Sequence, residues 1–294
     1  MLPRFEYIRA KNLNEAIRIL STEENGVKVL AGGTDIFVEM KQGQSRPQLL
    51  VDIKSIPELS QLSIGTNGEL SLGAAVKLAE LEYWAAGQKD WSGLSITARN
   101  IGSEQVRNRG TVVGNVCRAS PAADMAPMLI AMDARVEIVG SEEPKLLLVE
   151  DFLVGPGQTV LKTGELVKSL KIPKPPSNTG TAFLKLGKRR AMNVAIVSIA
   201  AKIAINGANR IKSASLVLGA VAPTPIRILE AETILSNDGL TKQSLEKISN
   251  LAIAAAKPIT DFRSTKDYRL KIVRILTQRV LKQAWKRATQ ARGI

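Results

Sequence analysis

The 294-residue chain contains no histidine and one cysteine, Cys117. Without an imidazole base, a Ser-His-Asp or Cys-His nucleophile is excluded. A Cys/His zinc site is excluded for the same reason, as is an iron–sulfur cluster held by four cysteines of this chain. No internal disulfide can form, which fits a reducing compartment. Aromatic residues make up 4% of the chain, too few for an interleaved aromatic and basic platform that would stack single-stranded bases. No stretch approaches the ~18 consecutive apolar residues of a membrane span. The opening "MLPRFEYIRA" is too charged and too short of apolar length for a signal peptide. The expectation is a soluble cytoplasmic protein whose difficult chemistry, if it has any, is carried by a cofactor or a partner chain.

What is present is enough for a real core. The chain is 45% hydrophobic, and its length implies one large domain or two to three smaller ones. The formal net charge is +14. An excess of that size implies nucleic acid, an acidic partner subunit or an anionic cofactor. From Lys257 to Ile294 there are eleven Lys/Arg against two Asp, so much of the excess sits in one terminal segment. There Ile272, Val273, Leu276, Val280 and Ala284 recur at helical spacing, which makes the tail an amphipathic helix with a basic outer face. A solvated face and a docking face for an acidic subunit are both open readings; nucleic acid is a remote third.

"LNEAIRIL" (13–20) has helical spacing behind an Asn12 cap. "GVKVLAGG" then reads as a strand that ends in glycine and "QLLVDIKSI" as a second strand closed by Pro57, so that strand, helix and strand within the first 56 residues make a small α/β unit. "LSIGTNGELSLGAAV" is a hairpin turning at Asn67-Gly68. Helices are expected over "KLAELEYWAA", over "SGLSITARNIGSEQVRN" with a break near Gly102, and from Pro121 with Ser120 as cap. A strand follows at 134–139. "IPKPPSN" (172–178) holds three prolines in five residues, which bar a central strand or helix interior. After it come long apolar strands in "NVAIVSIAAKIAI" and "IKSASLVLGAV", then a helical tail of "PIRILEAETILS", "TKQSLEKISNLAIAAA" and "DYRLKIVRILTQRVLKQAWKRATQ". Three units are expected: 1–56, 57–176 and 177–294.

Two segments interrupt the apolar periodicity with glycine and small polar residues: Ala31-Gly32-Gly33-Thr34-Asp35 and Gly110-Thr111-Val112-Val113-Gly114-Asn115. Glycine lets the backbone approach a ligand and offer its N–H groups, and such groups bind phosphate well beside a helix N-terminus. Neither segment is the G-x-G-x-x-G of a Rossmann site or a P-loop. A lone Gly-Gly is more often only a turn; two such loops in one chain point to a shared anion, most naturally a pyrophosphate.

"AGGTD", followed about eighty residues later by "RNRGTVVGNVCRASPAAD", resembles the flavoprotein subunit of the molybdenum hydroxylases, the xanthine dehydrogenase and carbon monoxide dehydrogenase family. The resemblance covers nearly the whole chain, including the proline linker and "FLKLGKRRAMNVAIV" after it. It implies an α+β fold: a PCMH-type (vanillyl-alcohol-oxidase-like) FAD-binding domain of two α/β subdomains, plus a C-terminal domain with a small antiparallel sheet and helices. It implies that Ala31, Gly32, Gly33, Thr34 and Asp35 form one FAD pyrophosphate loop, flanked by Val29, Leu30 and Ile36. Gly110, Thr111, Val112, Val113, Gly114 and Asn115 would form the other. Ile101 would lie near the flavin, Asp124 would hold a polar part of the cofactor, and Lys185 would close the site from the C-terminal domain.

Two positions depart from the family pattern. Val113 stands where the second loop usually has a glycine, which restricts φ and adds bulk: either its φ is below zero here, or the cofactor sits differently or binds less tightly, and Val113→Gly would be tolerated or would tighten binding. Asn193 stands where an aspartate is common, and removes a charge near the flavin edge. Arg107, Arg109 and Arg118 either balance the pyrophosphate or are solvated. Cys117 reads as a small buried filler, and Trp84, Trp91 and Trp285 as core or interface.

By this resemblance the chain is the FAD-binding, electron-transferring medium subunit of a heterotrimeric molybdenum hydroxylase, forming a dimer of heterotrimers. A large molybdopterin subunit and a small subunit with [2Fe-2S] clusters would be its partners, with no metal on this chain. It would receive electrons from the clusters and pass them to an external acceptor. The alternatives are a stand-alone flavin oxidoreductase and a scaffold of the same fold that has lost FAD.

Overall fold

Among the described residues, three sheets of three or more strands follow one another along the chain. The structure, a computed structural model, describes residues 2–22, 26–189 and 192–290; Arg190 and Ala191 of the stretch after the linker, and Arg292 of the basic tail, lie outside them. The first sheet is parallel and has the order β1-β3-β2, built from β1 (Glu6–Arg9), β2 (Val27–Leu30) and β3 (Leu49–Asp52). Helix α1 (Leu13–Leu20) links β1 to β2, and Asn12 caps it by accepting from the Glu15 amide at 2.9 Å. Helix α2 (Ile36–Lys41) links β2 to β3. In a parallel sheet of this kind the carboxyl ends of the strands form the natural binding crevice.

The second sheet is antiparallel, in the order β4-β5-β10-β6-β7. Its strands are β4 (Leu62–Ile64), β5 (Leu70–Gly73), β6 (Arg135–Val139), β7 (Lys145–Leu148) and β10 (Leu166–Ile172). A small hairpin, β8 (Leu153–Gly155) with β9 (Gln158–Thr159), lies outside it. Between β5 and β6 run α3 (Leu78–Ala86), α4 (Ser92–Arg99), α5 (Glu104–Arg107), α6 (Val112–Cys117) and α7 (Met125–Ala131); α8 (Val149–Phe152) follows β7.

The third sheet is antiparallel, β11 (Thr179–Leu186), β12 (Val197–Ile205), β13 (Ile211–Gly219) and β14 (Ile226–Arg227) in that order, with α9 (Leu229–Asp238), α10 (Lys242–Ala255) and α11 (Lys266–Gln290) on one face. Helices α4 and α7 pack on the other face. Burial on both sides explains why all nine residues of β12 are buried and read as a continuous apolar run. The two faces alternate along the strands. Phe183, Ala200 and Val217 are in register and join the core of residues 10–172, while Ile199, Ala201, Leu216 and Leu218 join the core under the C-terminal helices.

The rows on either side of Phe183, Ala200 and Val217 carry lysines. Lys185 pairs with Asp124 at 2.6 Å, and Lys202 pairs with Asp133. These aspartates bracket α7, one before its first residue and one just past its last turn. The nine residue steps from Asp124 to Asp133, most of them in α7, span about 14 Å at the helical rise, and the four residues separating the two lysine rows on β11 span about 13 Å. The helix and the strand thus match in length, and each end is pinned by an ion pair. Arg227 joins the far pin by donating to Asp133 at 2.7 Å and to Glu232 at 2.8 Å.

The structure corrects several boundaries. The helix expected from Pro121 begins at Met125, because the Ser120 side chain caps a turn at the Ala122 amide instead, and Asn115 Oδ1 takes the Met125 amide at 3.2 Å. The second glycine segment is not an open loop: Thr111 caps α6, and Val112 to Asn115 are its first turn. The helix expected from Pro225 begins at Leu229, since Ile226 and Arg227 extend the sheet. Strands β1, β7, β10 and β11 were not assigned from periodicity. Among the described residues no helix is long and apolar enough to cross a membrane.

Candidate functional site

The two glycine segments meet. A Cβ on Gly32 would collide with the carbonyl of Arg109 and come within 2.7 Å of the Gly110 Cα. A Cβ on Gly110 would sit 3.3 Å from Thr34 Oγ1. The close neighbour that Gly32 requires is therefore the other turn's backbone. Gly33 has φ +78°, the left-handed region that favours glycine, and it turns the chain from β2 into α2. The amides of Gly32, Gly33, Thr34 and Asp35 donate to no protein acceptor among the described residues. They lie at the carboxyl end of β2 and lead into the α2 N-terminus. The α6 N-terminus faces the same space, with Thr111 Oγ1 accepting from the Gly114 amide at 3.0 Å.

These two turns form one end of a cavity of about 360 Å³. Of the residues singled out from the sequence, Val29, Ala31, Gly32, Gly33, Thr34, Asp35, Ile36, Ile101, Gly110, Thr111, Val113, Gly114 and Asn115 line it. Leu30 and Val112 do not; their side chains are buried in the core beside it. Val113 has no positive φ and is 3% exposed, so its bulk is accommodated in helical backbone. Walls that the sequence reading missed come from Ile53, Leu78, Val106, Leu161, Leu166 and Val167. The last two lie on β10, whose alternation in "ELVKSLKI" is the signal that would have found them.

The arginines around the second turn take separate roles. Arg118 pairs with Glu39 at 2.9 Å and Asp35 at 3.6 Å, tying the end of α6 to α2 on the cavity rim. Arg107 pairs with Glu82 at 2.6 Å and donates to the Ile101 carbonyl at 3.2 Å, which fixes the wall carrying Ile101. Arg109 is exposed. Cys117 lines the cavity, and burial pushes its thiol up to about 12, so it stays protonated at neutral pH.

Asp124 and Lys185 stand behind the cavity rather than on its surface. Lys185 Nζ donates to Asp124 and, at 2.7 Å, to the Asn100 carbonyl, one residue before Ile101. Burial raises the Asp124 carboxyl to about 6, and the Lys185 charge opposes that rise without cancelling it. Its second oxygen, Oδ1, is buried without a hydrogen-bond partner. Asn193 packs over Gly187 and accepts from the Arg189 amide at 3.3 Å. Trp91 is buried, and Trp84 and Trp285 are partly so. No cluster of three or more His, Cys, Asp or Glu suited to a metal occurs among the described residues.

A family model described as the FAD binding domain in molybdopterin dehydrogenase matches residues 3–175. A second, the CO dehydrogenase flavoprotein C-terminal domain, matches residues 182–284. The chain is 30% identical over 279 residues to a xanthine dehydrogenase FAD-binding subunit of Escherichia coli O157:H7, covering 95% of each. It is 30% identical over 285 residues to the carbon monoxide dehydrogenase medium chain of Hydrogenophaga pseudoflava, covering 97% of this chain and 98% of the other. A solved structure of carbon monoxide dehydrogenase from Hydrogenophaga pseudoflava superposes with a TM-score of 0.93 at 30% identity, over 98% of this chain and 99% of that one.

Proposed function

The chain belongs to the family of FAD-binding medium subunits of the molybdenum hydroxylases, oxidoreductases that include xanthine and carbon monoxide dehydrogenases, and from this premise we propose that it works as the electron-transfer subunit of a heterotrimeric enzyme. One observation carries the reading: four consecutive amides, Gly32 to Asp35, are left without acceptors where two glycine turns meet at the end of an apolar cavity. Amides at a helix N-terminus suit a pyrophosphate. A cavity of about 360 Å³ with mostly apolar walls suits a cofactor with a large ring system. FAD, when bound, supplies the carrier that accepts and releases the electrons.

The chain's own residues would bind and orient that group. Ala31 to Asp35 would hold the pyrophosphate from one side, with Gly110, Thr111, Gly114 and Asn115 on the other. Val29, Ile36, Ile101 and Val113 would exclude water along the walls, with Leu30 and Val112 supporting them from the core. Lys185 and Asp124 would act through the Asn100–Ile101 backbone. Arg118, held on the cavity rim by Glu39 and Asp35, would offer a cation to the phosphates. Asn193 would leave the flavin edge without the negative charge an aspartate brings. The three units 1–56, 57–176 and 177–294 would then be two FAD-binding subdomains and a C-terminal domain.

In this reading a small subunit with [2Fe-2S] clusters delivers electrons, a large molybdopterin subunit oxidises the substrate, and two heterotrimers form a dimer in the cytoplasm. The test is the visible spectrum of the purified protein, followed by acid release of the chromophore and its chromatography against FAD and FMN. A flavin band with released FAD is the expected outcome. A colourless chain that fails to take up added FAD would leave only the scaffold reading.

A further inference from the structure

The turn between α10 and α11 is ordered yet displays large apolar side chains to water. Phe262 is 83% exposed and Ile259 68% exposed. The backbone around them is fixed. Lys257 donates its amide to the Val221 carbonyl at 2.8 Å, and the Lys266 amide donates to Thr260 Oγ1 at 3.0 Å. Asp261 Oδ1 accepts from the Arg263 amide at 2.9 Å and from the buried Arg269 at 2.8 Å. Lys188, from the loop after β11, donates to the Phe262 carbonyl at 2.8 Å. An exposed aromatic on a rigid backbone has little entropy left to lose on binding, the condition that favours an interface anchor.

Beside this turn lies a cavity of about 320 Å³, walled mainly by small apolar residues from several separate segments, including Pro121, Pro156, Val194 and Ile259. Val194 is 49% exposed and neighbouring Met192 53%, and the Met192 amide donates to the Gly102 carbonyl at 3.2 Å, next to Ile101. Exposed apolar side chains thus stand on both flanks of this cavity, Met192 and Val194 on one and Ile259 and Phe262 on the other. Its charged members are mostly cations. Lys257 is exposed, Arg263 lies over the Phe262 ring at 5.0 Å, and the Asp261 carboxylate is taken by Arg263 and Arg269.

We propose that this surface is the docking face for an acidic protein partner that places an apolar side chain into the groove while its carboxylates meet Lys257, Lys188 and Arg263. The charge of the patch and the net charge of +14 select an acidic occupant. The exposed apolar side chains around the cavity select a protein rather than a free anion. The inference rests on the reading of the chain as one subunit of a larger enzyme, and it names a face that one acidic partner subunit covers.

The test is zero-length cross-linking with a carbodiimide, which joins carboxylates directly to amines, on the complex isolated through an affinity tag on this chain. Mass spectrometry should find Lys257, and Lys188 less often, joined to Asp or Glu of a co-purifying subunit. Phe262→Asp combined with Arg263→Glu should lower the retained partner at least tenfold, and Ile259→Ala should lower it less, with FAD per chain unchanged in both. Full retention by the double variant, cross-links confined to other faces, or a chain recovered without any partner would each overturn the proposal. Missing FAD in the wild type would instead count against the flavoprotein reading, and the cross-links would still report on this face.

Discussion

At the scale of single residues, the glycines matter through what they touch. The pattern "AGGTD" carries the need for close approach, but not the identity of the neighbour, because that neighbour arrives from almost eighty residues away. Gly32→Ala would push its Cβ into the Arg109 carbonyl and part the two turns. It should destabilise the apoprotein by about 1–3 kcal/mol, the usual cost of overpacking, and release FAD; urea unfolding with flavin quantitation checks both. At Val113 the backbone takes the first of the two readings, with no positive φ. A glycine there would open a helix and empty a core position, so Val113→Gly should cost about 2 kcal/mol rather than tighten binding.

Asp124 gives a pH signature. Its carboxyl is raised in the folded protein from an ordinary 3.8 to about 6, because burial outweighs Lys185. A raised value means that its contribution is fully present below the unfolded value and is lost as pH climbs through the folded one. Across about pH 4 to 6 the wild type should therefore lose stability relative to Asp124→Asn. Denaturant midpoints measured at half-unit steps check this; parallel curves would mean that the pair titrates as an ordinary surface carboxylate.

At the scale of elements, long periodic segments were legible and short or doubly buried ones were not. α1, α10 and α11 follow their apolar stripe, and the hairpin at Asn67-Gly68 falls where the turn residues put it. α6 was hidden because Thr111-Val-Val-Gly-Asn combines a cap, β-branched residues and glycine, each common in loops; only the tertiary setting made it a helix. The start of α7 was hidden because Asn115, ten residues earlier, supplies the oxygen for its first amide. Thr111→Ala should remove the α6 cap and cost about 1 kcal/mol, with a larger loss of FAD affinity than of stability. Gly180 sets the seating of α11 on β11, since a Cβ there would strike the Ala284 carbonyl and the Ala288 amide. Gly180→Ala should lower the melting temperature by several degrees, while Gly43→Ala, with open space around it, should pay only for its positive φ.

At the scale of the molecule, the cofactor cavity is lined by residues between Lys28 and Val167, drawn from both the first and the second sheet and the helices between them, so binding should couple to the folding of those two units together. Apoprotein with FAD at one hundred times its dissociation constant should gain about 2.7 kcal/mol, visible as a concentration-dependent rise in the melting temperature. No rise would mean that the cavity forms without responding to its ligand. The sequence carried the family and the two turns; it could not carry β10 as a wall, or the salt bridges that turn Arg107 and Arg118 inward, because those depend on which segments fold next to each other.

The pairing of Lys185 with Asp124 and Lys202 with Asp133 makes the junction behave like a two-pin plug. Sliding the C-terminal sheet along α7 by one strand position would carry both lysines about 3 Å off their aspartates, and sliding it by two would bring apolar side chains of the same face against those carboxylates. No half-seated arrangement is favourable, so the C-terminal unit is either home or undocked. Because one pin also grips the Asn100 carbonyl beside Ile101, unplugging it would slacken the wall of the cofactor cavity, and the flavin's hold on the protein becomes a readout of whether the far domain is seated.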